Sequence, residues 1–498
     1  MTDLMPPTPA TTGAGVVPGA VPAAYPYPLA ASPLVTGGRR LDRWEEGVRY
    51  SWRRLVVLLL LTPLIALLAV QLPRLASAGV LVLYGMSVLL GTILVFYLAY
   101  TRYDDPSDPR YSRTPNDTGA PPLSAVPRVT LLVAVMNERH VIELCVRSMA
   151  ASDYPDLEIV VVDDASTDGT ADMLSALSAE LGFRCVLLEQ NVGKKRALVA
   201  GAVHATGEVI AFTDSDCILA TDALRRCVAA LVAHPSLGAV SGHARALNPD
   251  ASLLTRIQDT WYEGSFRVVK AAESTLGSVT CVSGPLAVFR RDAIWNYFPA
   301  WAADRFLGGE FRFATDRQLT GYVLGQKWKG RRLKERHPDP TFTAVDFPER
   351  QWRVAYVQSA RVLTVVPESL SAFVRQQVRW KKSFVRNLAF TGTFMWRRGV
   401  GPASLYYGHA LWVVAAPLMA VRHLVWAPLH GLWLLSLLYL GGVTIKGVAW
   451  GVAYLVDNPG STRWRYRPLM SIISSVVLSW LLPYALVTIR RGVWSRPS

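Results

Sequence analysis

Acidic, amide and basic side chains recur directly after four β-rich runs in the central part of the chain. They are Asn137 and Glu138, then Asp163 and Asp164, then Lys194, and finally Asp214 and Asp216. A single carboxylate at such a position commonly caps the next helix, but four successive runs ending in this way favour one shared binding site. Carboxylate oxygens are the ligands that Mg²⁺ and Mn²⁺ prefer, and these ions usually keep phosphate oxygens as partners. The set therefore predicts a site for a nucleotide diphosphate and a divalent cation.

The pattern around these residues predicts the elements that position them. β-rich runs alternate with amphipathic stretches of about ten residues, which is typical of βαβ units and a mostly parallel sheet. The predicted strands are 129–135, 157–162, 185–188 and 209–213, and the predicted helices are 141–152, 170–181 and 195–204. Ligands of such α/β sheets bind beyond the carboxyl ends of the strands, which is where the polar residues lie.

The composition indicates a second environment besides this domain. The 498 residues are 51% hydrophobic and only 18% charged, with a net charge of +15 and a mean hydropathy of +0.24. Soluble domains carry about 25% charged residues, so a wholly soluble or disordered chain is excluded. A basic chain binds either nucleic acid or an anionic membrane surface. Because the basic residues cluster beside apolar runs, the membrane is favoured and nucleic acid is not.

Long charge-free runs at both ends of the chain predict membrane spans, which need about 20 apolar residues. The predicted spans are 55–72, 78–100, 403–420, 424–440, a weaker 442–456, and 468–489. Arginines before the first span place the N-terminus in the cytosol by the positive-inside rule, so the middle of the chain is also cytosolic. The weak segment leaves three or four C-terminal crossings open. Four are favoured, because they place Arg490, Arg491 and Arg496 inside.

These patterns divide the chain into five parts. Residues 1–38 are expected to form a disordered Pro- and Ala-rich tail without a signal peptide, and 39–102 to hold the basic approach and two spans. A cytosolic catalytic domain occupies 103–358, amphipathic interfacial helices occupy 359–400, and 401–498 form a C-terminal bundle of three or four helices. The five cysteines have no ligand-like spacing, so neither a zinc site nor a disulfide framework is expected.

Several motifs resemble those of glycosyltransferase family 2. They are VAVMNER, IVVVDDASTDGT, NVGKKRAL and FTDSD, followed by VSGPLAVFRRDAI, ATDRQLT and RQQVRW. Their order is similar to that of membrane-embedded processive members, in particular hyaluronan synthases and nodulation-type chitin synthases. The chain departs from them at Thr315, where an acid is usual, and in a shortened Trp494-Ser495-Arg496. The resemblance implies a cytosolic α/β domain of GT-A type inserted between transmembrane helices.

The resemblance also implies roles for individual residues. Asp214 and Asp216 would hold Mg²⁺ or Mn²⁺, and Asp316 would be the general base in a displacement with inversion. Nucleotide-sugar binding falls to the set Asn137, Glu138, Asp163, Asp164, Lys194, Asp214, Gln376, Arg379 and Trp380. Acceptor binding falls to the set Ser283, Gly284, Pro285, Arg317 and Trp380. At helical spacing Gln376, Arg379 and Trp380 share one face, and an interfacial role for that helix is compatible with the catalytic one.

The expected activity is processive transfer of a sugar from a UDP-sugar to a growing β-linked polysaccharide, with export of the product. N-acetylglucosamine is the favoured sugar, and alternation with glucuronate stays open. The alternatives are a non-processive transferase acting on a lipid-linked acceptor, a cellulose-type glucan synthase, and a transporter with a cytosolic regulatory domain. The last would not explain the ordered carboxylates. The partners are then the donor, the polysaccharide and the lipid bilayer of the plasma membrane, whereas the oligomeric state is not predicted.

Overall fold

A computed structural model describes residues 80–108 and 123–490, with isolated positions between 55 and 66. Its centre is an eight-stranded sheet in the order β3-β2-β1-β4-β7-β6-β10-β5. The strands are β1 Val129–Val135, β2 Leu157–Asp163, β3 Arg184–Leu187, β4 Val209–Asp214, β5 Cys217–Leu219, β6 Leu237–Ala246, β7 Ala287–Arg290, β8 Arg305–Phe306, β9 Gly309–Glu310 and β10 Arg353–Thr364. The short β8 and β9 form a separate antiparallel pair. The expected tail 1–38, the expected span 55–72 and Trp494-Ser495-Arg496 lie outside the described residues or largely so.

The first four strands run parallel, and their register aligns the polar strand ends. β1 lies between β2 and β4, with Val135 opposite Asp163 and Ala134 opposite Asp214. Every residue of β1 is buried, because helices cover both faces of a parallel sheet and leave no solvated side. The two carboxylates therefore leave the sheet at one edge and at almost the same level.

Helices surround the sheet and continue into an apolar bundle. They are α1 Val80–Tyr97, α2 Ile142–Ala150, α3 Thr170–Leu181, α4 Lys194–Ala202, α5 Ala223–Ala233, α6 Leu253–Glu263, α7 Ala271–Thr275, α8 Phe298–Ala302, α9 Thr315–Arg336, α10 Leu370–Thr391, α11 Val400–Ala420, α12 Trp433–Asp457, α13 Arg467–Val476 and α14 Leu481–Val487. Short helical turns occupy Arg291–Ile294, Pro340–Thr343 and Ala427–Leu429, and wider π-helical segments occupy Leu98–Arg102, Gly264–Lys270 and Val421–Trp426. Turns of 3₁₀-helix occupy Trp295–Tyr297, Met395–Arg398, Arg463–Tyr466 and Leu478–Trp480. The predicted strand 129–135 and helix 170–181 have the observed bounds, and the other predicted elements differ by one or two residues at their ends.

The second half of the sheet corrects one predicted boundary. The sequence predicts a catalytic domain over 103–358 and interfacial helices from 359, but β10 extends from Arg353 to Thr364 beside β6, with a shift in register between Tyr356 and Arg361. The boundary at 358 therefore falls inside a central strand, and the following helix α10 begins only at Leu370. The strand was missed because its polar positions Arg353, Gln358 and Arg361 break the apolar alternation that would mark it.

Four helices of the described residues are long and apolar enough to cross a membrane. They are Leu83–Arg102, Val400–Leu429, Trp433–Asp457 and Arg463–Val487. The favoured count of four C-terminal spans is therefore wrong, since three candidates follow residue 400. The expected spans 424–440 and 442–456 are also wrong as separate segments, because one helix, α12, covers the second half of the first and all of the second. The break lies earlier, at Gly431, whose φ of +75° suits glycine and ends the preceding helix.

A buried ion pair joins the catalytic domain to two of the membrane helices. Arg267 Nε lies 3.2 Å from an oxygen of Asp457, and the Tyr100 hydroxyl donates to the other oxygen at 2.7 Å. The Arg267 guanidinium also stacks over the Tyr100 ring, 4.6 Å from its centroid. Because Tyr100 follows α1, Arg267 lies in the π-helical segment and Asp457 ends α12, this contact fixes three separate parts of the chain against one another.

Candidate active site

The loops after β1 and β2 are joined by hydrogen bonds that involve Asn137 and Glu138, two of the predicted site residues. Asn137 has a left-handed φ of 54°, and its Oδ1 accepts from the Thr167 amide at 2.8 Å. The Glu138 amide donates to Thr170 Oγ1 at 3.1 Å. The structure therefore places Asn137 and Glu138 at the predicted edge, where their backbone and the Asn137 side chain shape the loop that would face a ligand.

The neighbouring acids Asp163 and Asp164 differ in what their oxygens contact. Asp164 accepts from the amides of Val192 and Gly193 at 2.7 and 2.9 Å, so it holds the loop that leads into α4. Asp163 accepts from the Ser166 amide at 2.9 Å through Oδ2. Its Oδ1 is buried and has no hydrogen-bond partner among the described residues. Of the two, Asp163 is the one whose geometry leaves an acceptor available for a ligand.

The end of β4 brings two carboxylates and a lysine together. Ligand atoms of Asp214, Asp216 and Cys217 all lie within 4.8 Å of one another, and the Lys194 ammonium contacts Asp214 Oδ1. Burial alone would lower the pKa of Lys194, but Asp214 and Asp216 outweigh it and raise that pKa. Burial, followed by Asp216, raises the pKa of the Cys217 thiol well above its usual value. The group therefore offers two hard carboxylates and one protonated, soft sulfur, a donor set that suits Mg²⁺ or Mn²⁺ on the carboxylates alone.

The loop of residues 281–285, which precedes β7, lies directly against Asp214. Gly284 is so close to Asp214 that an added Cβ would lie 2.6 Å from the carboxylate. Thr213 Oγ1 donates to the carbonyl of Pro285 at 2.8 Å, which fixes the loop to the end of β4. Ser283, Gly284 and Pro285 are all partly exposed. These three of the residues predicted to bind an acceptor thus lie beside the carboxylate of Asp214, which is predicted to bind a cation.

The other end of that loop contacts the predicted base. The Cys281 thiol donates to Asp316 Oδ2 at 3.3 Å, and the Arg317 amide donates to Oδ1 at 2.8 Å. Burial, followed by the charge of Asp316, raises the pKa of Cys281 to about 12, so the thiol stays protonated and remains a donor. Asp316 is not a helix cap, because α9 begins at Thr315 after Ala314 in a left-handed conformation.

The loop therefore spans the distance between two acidic centres. Cys281 touches Asp316 and Gly284 touches Asp214, and only three residues of chain separate these two contacts. Three extended residues reach at most about 11 Å, so both carboxylates face one compact space. Asp214 and Asp316 are far apart in the sequence, so their proximity cannot be predicted from it. The topology of the sheet brings them together.

The helix α10 supplies an aromatic floor. The Gln376 side chain lies beside Tyr262, and the centroid of the Trp380 ring lies 5.6 Å from that of Trp261 and 6.2 Å from that of Tyr262. Burial, followed by Asp216 and Asp214, raises the pKa of Tyr262, which places this ring beside the carboxylates. Trp380 is 37% exposed, and Arg379 follows Gln376 by one helical turn on the same face.

Trp261 and Tyr262 belong to this floor although no motif marks them. Their only signal in the sequence is an adjacent aromatic pair on an amphipathic stretch, a pattern that most often means core packing. Their partner Trp380 lies more than 100 residues further along the chain. Tyr262 is buried and Trp261 is half-buried, so they back the exposed Trp380 ring, and an exposed aromatic ring of this kind can stack on a sugar.

A buried ionic network around Asp304 positions the start of α4 and the helix α10. Asp304 is 4% exposed and accepts from Lys195 Nζ at 2.8 Å and from Arg386 Nη2 at 2.5 Å. Lys195 Nζ also donates to Gln318 Oε1 at 2.6 Å. Lys195 neighbours Lys194, Gln318 lies in the first turns of α9 and Arg386 lies in α10, so one carboxylate links three elements of the site. Nothing in the sequence singles out Asp304.

Comparisons with known proteins agree with this arrangement. The family described as "Glycosyl transferase family 2" matches residues 130–298. The chain is 31% identical over 266 residues to an N-acetylglucosaminyltransferase of Rhizobium meliloti (strain 1021), which covers 53% of this chain and 57% of that protein. It is 32% identical over 278 residues to an N-acetylglucosaminyltransferase of Bradyrhizobium diazoefficiens, covering 55% of this chain and 51% of that protein. The chain thus matches little more than half the length of these relatives.

Among solved structures, a mannosyltransferase from Pyrobaculum calidifontis in complex with GDP-Man and Mn²⁺ is similar to this chain. The TM-score is 0.48 at 22% identity, with 82% of this chain and 97% of that chain covered. The family model matches about a third of the chain, and the observed sheet has the expected mostly parallel α/β arrangement in its first half.

The network around Asp304 generates a prediction about stability. Asp304→Ala leaves the Lys195 and Arg386 cations buried without their carboxylate, and removing one partner of a buried pair costs about 3 to 5 kcal/mol. We expect chemical denaturation of the detergent-solubilised protein to show that loss. The matched control is Glu335→Ala, which breaks the exposed pair with Arg331 and should leave the unfolding midpoint unchanged. Equal stability of the Asp304 variant and the wild type would contradict the positioning role.

Proposed function

The chain carries a glycosyltransferase family 2 domain at residues 130–298, and on that premise we propose that it is a membrane-bound, inverting and processive transferase. It transfers sugars from a UDP-sugar to the end of a growing β-linked polysaccharide and helps to export the product. N-acetylglucosamine is the favoured sugar, because both relatives described above are N-acetylglucosaminyltransferases. The observation that carries the proposal is the single loop whose ends touch Asp214 and Asp316.

The donor occupies the carboxyl edge of the parallel strands in this proposal. Asp163, whose buried Oδ1 has no hydrogen-bond partner among the described residues, accepts from the nucleoside, while Asn137, Glu138 and Asp164 shape the loops around it. Lys194 lies where it can pass from Asp214 to a diphosphate oxygen, a charge-assisted contact. Gln376 and Arg379 approach the same space from α10 and supply further donors to the diphosphate.

A divalent cation, Mg²⁺ or Mn²⁺, fits the carboxylates of Asp214 and Asp216. Asp216 is the better direct ligand, because the Lys194 ammonium already contacts Asp214. A bound cation would stabilise the negative charge that develops on the departing diphosphate. Gly284 has to lack a side chain here, since a Cβ would collide with the Asp214 carboxylate.

Asp316 acts as the general base. The acceptor hydroxyl is a poor nucleophile at neutral pH, and a carboxylate that takes its proton during attack on the anomeric carbon accelerates such reactions by about 10² to 10⁴. Each oxygen of Asp316 already accepts one hydrogen bond, from Cys281 and from the Arg317 amide. A carboxylate has about four acceptor positions, so these bonds orient Asp316 and leave room for the acceptor hydroxyl.

The acceptor lies between the Ser283–Pro285 loop and the aromatic floor. Trp380, together with Trp261 and Tyr262, offers stacking surface for the terminal sugar. Arg317, next to the base, supplies a donor to the acceptor. A floor that holds a sugar after each transfer favours processive extension over release after one addition.

The contacts of the last apolar segment, Arg463–Val487, determine the membrane topology that we propose. At its start Arg463 pairs with Asp250 at 2.6 Å and Asp259 at 3.0 Å. At its end Lys382 Nζ donates to the Thr488 carbonyl at 2.6 Å, and Ile489 packs in a cluster with Phe313. Both ends of the segment therefore contact the catalytic domain, although its 25 residues could span about 37 Å as one straight helix.

A segment that begins and ends on the same side does not cross the bilayer. A 3₁₀ turn at Leu478–Trp480 separates α13 from α14, and α14 packs along α10. We therefore place residues 463–489 beneath the catalytic domain, in the membrane interface, with Val400–Leu429 and Trp433–Asp457 as the C-terminal crossings. Arg490 then faces the cytosol of a multi-pass plasma-membrane protein.

Donor and product are the first test of the proposed function. We expect the purified protein in proteoliposomes to release UDP from UDP-N-acetylglucosamine in the presence of Mn²⁺, and a polysaccharide gel to show a ladder of long products. A requirement for UDP-glucuronate as well would indicate an alternating polymer. A product with one added sugar would instead support a lipid-linked acceptor, and activity with UDP-glucose alone a glucan synthase. No release from any UDP-sugar would refute the proposal.

The role of Asp316 generates a second prediction. Asp316→Asn keeps the size and can keep one of the two accepted hydrogen bonds, from Cys281 or from the Arg317 amide, but it cannot take the proton, so turnover should fall by about 10² to 10⁴. UDP binding, measured by isothermal titration calorimetry, should remain as in the wild type. The control Asp172→Asn changes an exposed acid on α3 and should keep full activity. Full turnover by the Asp316 variant would remove this residue from its role.

The topology generates a third prediction. A green fluorescent protein fused after Ser498 should fluoresce in bacterial cells, and alkaline phosphatase fused there should be inactive, because the C-terminus faces the cytosol. Fusions after His430, between the two crossings, should behave in the opposite way. Active phosphatase after Ser498 would show that residues 463–489 cross the membrane after all.

A further inference from the structure

Lys270 is a buried cation that the proposed mechanism does not use. It ends the π-helical segment Gly264–Lys270 that follows α6, and it is only 7% exposed. Burying an ammonium group costs several kcal/mol unless its donors are satisfied. π-helical segments are uncommon, and they occur frequently at functional sites. A lysine at this position therefore calls for a reason beyond packing.

The Lys270 ammonium donates to three oxygens of the site. Its Nζ lies 2.6 Å from Ser283 Oγ, 2.7 Å from the Cys281 carbonyl and 2.8 Å from Ser241 Oγ. Two of these oxygens belong to the loop that joins Asp316 to Asp214, and the third is on β6. An ammonium group has three N–H donors, so every one of them is used to hold this loop to the sheet.

These contacts also decide what the Ser283 hydroxyl can do. An ammonium only donates, so Ser283 Oγ must accept from Lys270, and the proton of Ser283 must be donated elsewhere. Ser241 differs, because its hydroxyl donates to the Gly242 carbonyl at 3.2 Å. Apart from Lys270, the side chain that the described residues place near Ser283 Oγ is the weakly bonding Cys281 thiol, at 3.8 Å. Since Ser283 is partly exposed, its proton can be donated to a sugar.

We propose that Lys270 is a positioning residue for the acceptor, acting through Ser283. It fixes the loop between the two acidic centres and makes the Ser283 hydroxyl a donor to an oxygen of the acceptor sugar. This inference rests on the proposed function, because it assigns the acceptor to that loop. Burial lowers the pKa of Lys270 to about 8, so at neutral pH the ammonium form that donates all three bonds prevails.

The test compares transfer to a sugar with hydrolysis of the donor. Water does not need a donor from Ser283, whereas a sugar acceptor does. For Lys270→Met and for Ser283→Ala, transfer to a soluble N-acetylglucosamine oligosaccharide should fall about 10- to 100-fold, the loss expected for one charged or oriented hydrogen bond. In both variants the ratio of transfer to UDP release without acceptor should fall, and UDP binding by Lys270→Met should stay within about twofold of the wild type. The double variant should transfer sugar at about the rate of the less active single variant.

The controls separate positioning from stability. Lys334→Met also removes a lysine with several contacts, to Asp346, Glu349 and the Phe347 carbonyl, but at the far end of α9, and it should leave the ratio of transfer to hydrolysis unchanged. Lys270→Leu is a second variant that also removes every side-chain donor, and it should show the same fall in transfer if Lys270→Met does not fold.

The outcomes distinguish a failure of the proposed function from a failure of the role assigned to Lys270. A wild type without UDP release would refute the proposed function, not the role of Lys270. An active wild type with an unchanged ratio of transfer to hydrolysis in Lys270→Met or Lys270→Leu would overturn the positioning role. A parallel loss of hydrolysis, transfer and UDP binding in both Lys270 variants would also overturn it, because it would show that Lys270 only holds the fold. Independent, additive losses in the double variant would show that Lys270 does not act through Ser283.

Discussion

The site depends on one short loop that is held between two carboxylates. Cys281 donates to Asp316, and Gly284 lies against Asp214 without a side chain to separate them. Chemistry that needs a cation-bound leaving group and a base within one compact space requires such a link, because the two acids come from elements far apart in the sequence. Asp214 is fixed by β4 and Asp316 by the start of α9, and the loop keeps their separation constant.

Buried charges hold the surrounding elements to this loop. Asp304 joins the residue next to Lys194 with α10, Lys270 fixes the loop to β6, and Arg267 ties the π-helical segment to the membrane helices. Apolar packing would hold these elements with less desolvation, since hydrophobic replacements of buried pairs are often at least as stable. Directional bonds instead specify one arrangement of loops relative to the floor. In this account the membrane helices and the segment 463–489 serve as the support on which that arrangement rests.

The sequence predicted the first half of the sheet well, because β1, β2 and β4 are apolar runs that end in acids. It also gave the apolar segments, since a membrane span is a local property of composition. It did not give β10, whose polar positions obscure the alternation, nor the break at Gly431, which depends on a left-handed backbone. For another reason, the sequence does not predict the roles of Asp304, Lys270, Trp261 and Tyr262. Their roles come from contacts between residues tens or more than a hundred positions apart, which no local pattern encodes.

The most direct measurement is an electron cryomicroscopy structure of the protein with Mn²⁺ and UDP-N-acetylglucosamine. The account predicts Mn²⁺ coordinated by Asp216 and the diphosphate, with Lys194 moved from Asp214 towards a phosphate oxygen. It also predicts that the anomeric carbon faces Asp316 across the Ser283–Pro285 loop, with Trp380 beneath the open acceptor position. A cation bound away from Asp214 and Asp216, or a donor whose anomeric carbon points away from Asp316, would contradict the claim that this loop joins the two centres into one active site.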